Sequence, residues 1–98
     1  MPNKKYDESG ETAKVTFTLP DAVEAETVSL CGDFDGWDAS ANPMGRAPDG
    51  SFSVVVELDA GKSYAYRFLL DGDRWENDWE AERYEPNGFG GDNGIVEV

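Results

Sequence analysis

Apolar and polar residues alternate along most of this chain with a period of two, the mark of strands that bury one face. Over residues 12–19, Val15, Phe17 and Leu19 share one face and Lys14, Thr16 and Thr18 the other, before Pro20-Asp21 stops the run. Residues 27–33 repeat the theme, with Val28 and Leu30 together and Gly32 continuing their face. Over 51–58 the apolar face is Phe52, Val54, Val56 and Leu58. Over 63–70 it is Tyr64, Tyr66, Phe68 and Leu70, which leaves Ala65, Arg67 and Leu69 on the opposite side. A last run spans 95–98. Pro48-Asp49-Gly50, Asp59-Ala60-Gly61 and Asp71-Gly72 stand between these runs as turn signals. No stretch has a helical period. Short strands at roughly ten-residue intervals predict an all-β antiparallel sandwich or barrel.

Two segments break the alternation. Gly32-Asp33-Phe34-Asp35-Gly36-Trp37-Asp38 sets a tryptophan between aspartates, and residues 71–93 scatter Trp75, Trp79, Tyr84 and Phe89 among acids, asparagines and glycines. Long connections in small domains tend to carry function. Aromatic rings in such polar loops need either a core to enter or a ligand to meet. Phe34, between two glycines, is expected to plug the core. Residues 1–11 read as a flexible leader and 12–98 as one domain.

Charge and composition narrow the chemistry. Among 98 residues there are 21 acids, 8 bases and no histidine, for a net charge of −13. Residues 1–19 sum to zero, so the whole excess belongs to 20–98, interleaved with apolar positions as in a folded domain with an acidic skin. Such a field repels nucleic acid and anionic membrane surfaces. Without histidine there is no Ser-His-Asp triad and no His-ligated zinc. The single Cys31 forms no intrachain disulfide and reads as a half-buried, inert thiol. With no apolar run of membrane length and no signal-like start, a cytoplasmic location is expected. No cofactor is implied. The segment 33–38 begins like a calcium loop, but its glycine comes two positions early and a tryptophan stands where a ligand belongs.

Three blocks together give a more specific signal. Val28-Ser29-Leu30-Cys31-Gly32-Asp33-Phe34-Asp35-Gly36-Trp37 resembles the "V-x-L-x-G-x-F-x-x-W" signature of carbohydrate-binding module family 48, also called the isoamylase N-terminal or early-set domain. Tyr66-Arg67-Phe68-Leu69-Leu70-Asp71-Gly72, followed by Trp75, resembles the second signature, and Asn93-Gly94-Ile95-Val96-Glu97-Val98 the closing strand. The resemblance spans residues 27–98. It implies an immunoglobulin-like β-sandwich of about seven strands that binds α-1,4-glucans (glycogen, starch or maltooligosaccharides) without catalysis. Such domains occur on branching and debranching enzymes, on the β subunit of AMP-activated protein kinase, and as small free-standing proteins.

The resemblance also implies roles. Trp37 and Trp75 match the tryptophans that stack on glucose rings, Arg67 the basic residue beside them, Phe89 an aliphatic residue that reaches into a bound oligosaccharide, and Asn93 a hydrogen-bonding asparagine. Trp79 stands where relatives often have proline, so it is either an extra platform or a packing change. The connection from Gly72 to Trp75 is one residue longer than in the kinase subunit. The competing reading is an interaction domain that keeps the sandwich and docks on a glycogen-metabolising enzyme or kinase-type partner, or on a second copy of itself, without binding sugar.

The acidity remains unexplained by a neutral glucan. Adaptation of the whole surface to high salt is the expected reason, because screening suppresses self-repulsion. A melting temperature that rises between dilute buffer and molar KCl is the result expected; one that does not rise counts against it.

Overall fold

A computed structural model describes residues 2–19, 25–88 and 91–98. Within them the chain forms nine strands: β1 (Asn3–Tyr6), β2 (Thr12–Leu19), β3 (Val28–Gly32), β4 (Gly45–Arg46), β5 (Phe52–Asp59), β6 (Ser63–Leu70), β7 (Arg74–Glu76), β8 (Arg83–Pro86) and β9 (Asp92–Glu97). One antiparallel sheet runs β1-β2-β5-β4 and the other β3-β6-β9-β8, with β7 pairing the far end of β6. The two form an immunoglobulin-like sandwich. The count exceeds seven because β4 and β7 are short pieces of two and three residues.

The alternation decides which faces meet. Val15, Phe17, Leu19, Phe52 and Leu58 from the first sheet close on Val28, Leu30, Tyr66, Phe68, Leu70 and Val96 from the second. Each fully buried apolar side chain of this size contributes roughly 1.5–3 kcal/mol of transfer free energy. Phe17 meets Tyr66 edge-on at 4.8 Å between ring centres. Phe34 closes one end of this core, with its ring centre 5.9 Å from Phe17 and 6.1 Å from Tyr64. The Tyr66 hydroxyl is buried and donates to Asp78 Oδ2 at 2.7 Å, which joins the 77–81 connection to the core. Burial above all, and then the Asp78 carboxylate, pushes the ionisation of this phenol far above the ordinary range.

Within the expected leader 1–11, residues 3–6 lie in a sheet. Strand β1 pairs antiparallel with β2 from Asn3–Thr16 to Tyr6–Ala13. Lys4 Nζ donates to the Glu97 carbonyl at 2.7 Å and lies 2.6 Å from Glu82 Oε1, and the Tyr6 hydroxyl donates to the Val98 carbonyl at 3.0 Å. The first strand of one sheet is thereby tied to the last strand of the other, and the sandwich begins before residue 12.

Candidate functional site

The outer face of the second sheet carries the candidate site. On β6, Tyr66, Phe68 and Leu70 turn inward, so strand geometry turns Ala65, Arg67 and Leu69 outward. Two connections deliver the tryptophans above that face. After Leu70, Asp71 and Gly72 adopt left-handed backbone (φ 53° and 77°), and the chain doubles back into β7 with Trp75 opposite Leu69. Two backbone N–H groups, of Thr27 and Glu26, bond the Asp71 carboxylate and hold its pKa below the usual range, so the turn is anchored to the segment leading into β3.

The other connection leaves β3 through a single 3-10 turn, Asp33–Asp35. Gly36 and then Trp37 both take left-handed backbone, at φ 67° and 61°. For tryptophan this conformation costs on the order of 1–2 kcal/mol. The cost is offset by a carboxylate: Asp35 Oδ1 accepts from the N–H groups of Gly32 and Trp37 at 3.1 and 3.0 Å, while Oδ2 accepts from Asn42 Nδ2 at 2.8 Å. Asp33 holds the ring itself, with Oδ1 accepting from the Trp37 indole N–H at 3.1 Å and Oδ2 from the Ala65 N–H at 3.0 Å. These carboxylates are engaged by protein N–H groups. Among the described residues no group of three or more His, Cys, Asp or Glu side chains could hold a metal ion.

The two tryptophans meet over the sheet. Their ring centres are 6.4 Å apart with planes at 65°. The Arg67 guanidinium carbon lies 5.7 Å from the Trp75 ring centre, and its Nε donates to Asn77 Oδ1 at 2.8 Å. Among the described residues Arg67 forms no ion pair, despite the acidic surface. Tyr66 pairs with Gly94, which brings Asn93 level with Arg67 on the neighbouring strand. Asp33, Trp37, Arg67, Trp75, Asn87 and Asn93 line an open cleft of about 630 Å³. Four of the six sequence candidates, Trp37, Arg67, Trp75 and Asn93, are therefore neighbours around one space.

The remaining two differ. Phe89 lies outside the described residues. Trp79 is 56% exposed and does not line the cleft; its indole N–H donates to Glu76 Oε1 at 3.0 Å. Two cleft residues were not among the candidates. Asp33 occupies a variable position inside the first signature, and Asn87 bonds Gly91, donating from its N–H to the Gly91 carbonyl and accepting the Gly91 N–H on Oδ1. Neither role leaves a trace in strand periodicity.

Cys31 sits beneath this face, wholly buried rather than half-buried, and directly opposite Arg67. Burial, with Asp35 and Asp38 adding charge repulsion, pushes its thiol up to about 11, so it is a neutral packing group at physiological pH.

Two indole faces, a guanidinium, two carboxamides and a carboxylate suit a neutral ring with an apolar C–H face and a rim of hydroxyls.

Comparison with known proteins points the same way. The family profile of carbohydrate-binding module 48 (isoamylase N-terminal domain) matches residues 5–87. The 1,4-alpha-glucan branching enzyme GlgB of Aquifex aeolicus (strain VF5) is 35% identical over 79 residues, which take in 78% of this chain and 12% of that enzyme. The chain thus spans a small part of that relative's length.

Proposed function

The chain belongs to carbohydrate-binding module family 48, and from that premise we propose that it binds α-1,4-glucans, such as glycogen, starch or maltooligosaccharides, without transforming them. Trp37 and Trp75 stack on the C–H faces of glucose units, while Arg67 and Asn93 serve the hydroxyl rim. The observation that carries this reading is Trp37 itself. A half-buried tryptophan is held in left-handed backbone, where glycine would fit without strain, and its ring meets a second indole edge-on beside an open cleft. Strain of this kind gathers at sites of function. The relative's name adds the substrate class, since that enzyme acts on a 1,4-α-glucan.

The module is a tether. Two aromatic platforms, less the cost of association, correspond to single-site dissociation constants on the order of 10 μM to mM. Useful residence on a polymer then comes from many sites presented together. Titrating intrinsic tryptophan fluorescence with maltoheptaose or β-cyclodextrin is expected to give a saturable change in that range. A flat titration with both ligands sinks the proposal.

A further inference from the structure

We propose that Asp33 is the positioning residue of the cleft, setting the attitude at which Trp37 meets a sugar. Its two oxygens take protons from two different elements. Oδ1 accepts the Trp37 indole N–H at 3.1 Å, and Oδ2 accepts the backbone N–H of Ala65 at 3.0 Å. Ala65 lies on β6, two residues before Arg67, and β6 also pairs with the strand that carries Trp75. One carboxylate therefore fixes a ring on the 33–44 connection to the strand that carries Arg67 and pairs with those that carry Trp75 and Asn93. A carboxylate suits the task because it accepts on both oxygens. An asparagine would turn an N–H₂ group toward one of the two N–H donors and lose that bond.

The function assigned to Asp33 rests on the glucan reading; its hold on the ring does not. A tryptophan freed to change rotamer must be ordered again when ligand binds, and ordering one such side chain is worth roughly three- to tenfold in affinity. The effect of losing Asp33 must also pass through the indole N–H. A double-mutant cycle separates this from direct contact with sugar.

The experiment compares wild type, Asp33→Asn, Trp37→Phe and the double variant by calorimetric titration with maltoheptaose. Circular dichroism follows the exciton couplet of the paired indoles. Asp33→Asn is expected to weaken binding by about three- to tenfold and to diminish the couplet, yet to change affinity less than about twofold in the Trp37→Phe background. An equal loss in both backgrounds overturns the proposal and makes Asp33 a direct sugar contact. No loss in either overturns it outright. If wild type binds no glucan, the functional reading fails, while an unaltered couplet in Asp33→Asn is what would refute the positioning role. Should Asp33→Asn not fold, hydrogen exchange at the Trp37 indole of the unaltered protein decides: exchange as fast as that of a free indole overturns the proposal.

Discussion

Replacing Trp37 and Trp75 together by alanine is expected to weaken glucan binding by about sixtyfold or more while the sandwich stays folded. If each indole removes about 100 Å² of apolar surface on stacking, its contribution is at most ~2.5 kcal/mol at ~25 cal/mol per Å². Losing both corresponds to a weakening of about sixtyfold even if only half of their summed ~5 kcal/mol is realised. From a starting point between 10 μM and mM, this leaves dissociation constants from about 0.6 mM upward. Trp75→Ala also removes the ring that the Arg67 guanidinium faces at 5.7 Å, so the arginine loses a positioning partner along with the platform.

Folding should survive, because neither indole belongs to the buried cluster between the sheets. Trp79→Ala is the matching control. That side chain is more exposed than Trp75, at 56% against 45%, yet stands outside the cleft, so its loss is expected to change affinity by less than about twofold. Maltoheptaose titration of the three variants, with melting curves, decides the matter. Unchanged binding by the double variant would refute the glucan reading.

The sheets were legible in the sequence because a period of two leaves a mark wherever one face is buried. Ser63–Leu70 comes out as β6 with the expected bounds, its tyrosines, phenylalanine and leucine against the core and Arg67 outside. Strand β1 left no such mark. Asn3-Lys4-Lys5-Tyr6 has no apolar face, and it is held by backbone pairing and by polar contacts to residues more than 90 positions away. Leu69 misleads in another way. It belongs to the outward set of β6 yet is only 9% exposed, because that face is itself roofed where Trp75 lies opposite it. The cleft was legible in part. Trp37, Arg67, Trp75 and Asn93 follow from motif resemblance, whereas the left-handed backbone at Trp37 and the bridging by Asp33 depend on a three-dimensional meeting of loop and strand that no local pattern encodes.

Gly32→Ala is expected to be the most damaging single-methyl change on this path from fold to site. The reason is space. Gly32 has extended backbone, φ −172°, which any residue adopts. A Cβ there would come within 2.6 Å of the Ala65 carbonyl oxygen and 2.7 and 2.8 Å of two ring carbons of Phe34. The carbonyl belongs to the strand that pairs with β3, and the ring is wedged between Phe17 and Tyr64, so neither yields without moving a sheet or opening the core. Overpacking of this kind costs roughly 1–3 kcal/mol or more. In a domain of this size about 3 kcal/mol lowers the melting temperature by roughly 12–24 °C. Gly45→Ala is the control, since its nearest neighbour would be a carbonyl oxygen at 3.9 Å and its backbone is not left-handed, so a shift within about 0.5 kcal/mol is expected. Melting of Gly32→Ala within a few degrees of Gly45→Ala would show that the clash is absorbed. The same variant should bind glucan more weakly well below its melting point. Gly32 accepts the Trp37 N–H on its carbonyl and donates its own N–H to Asp35, so whatever displaces it displaces the turn that aims the indole.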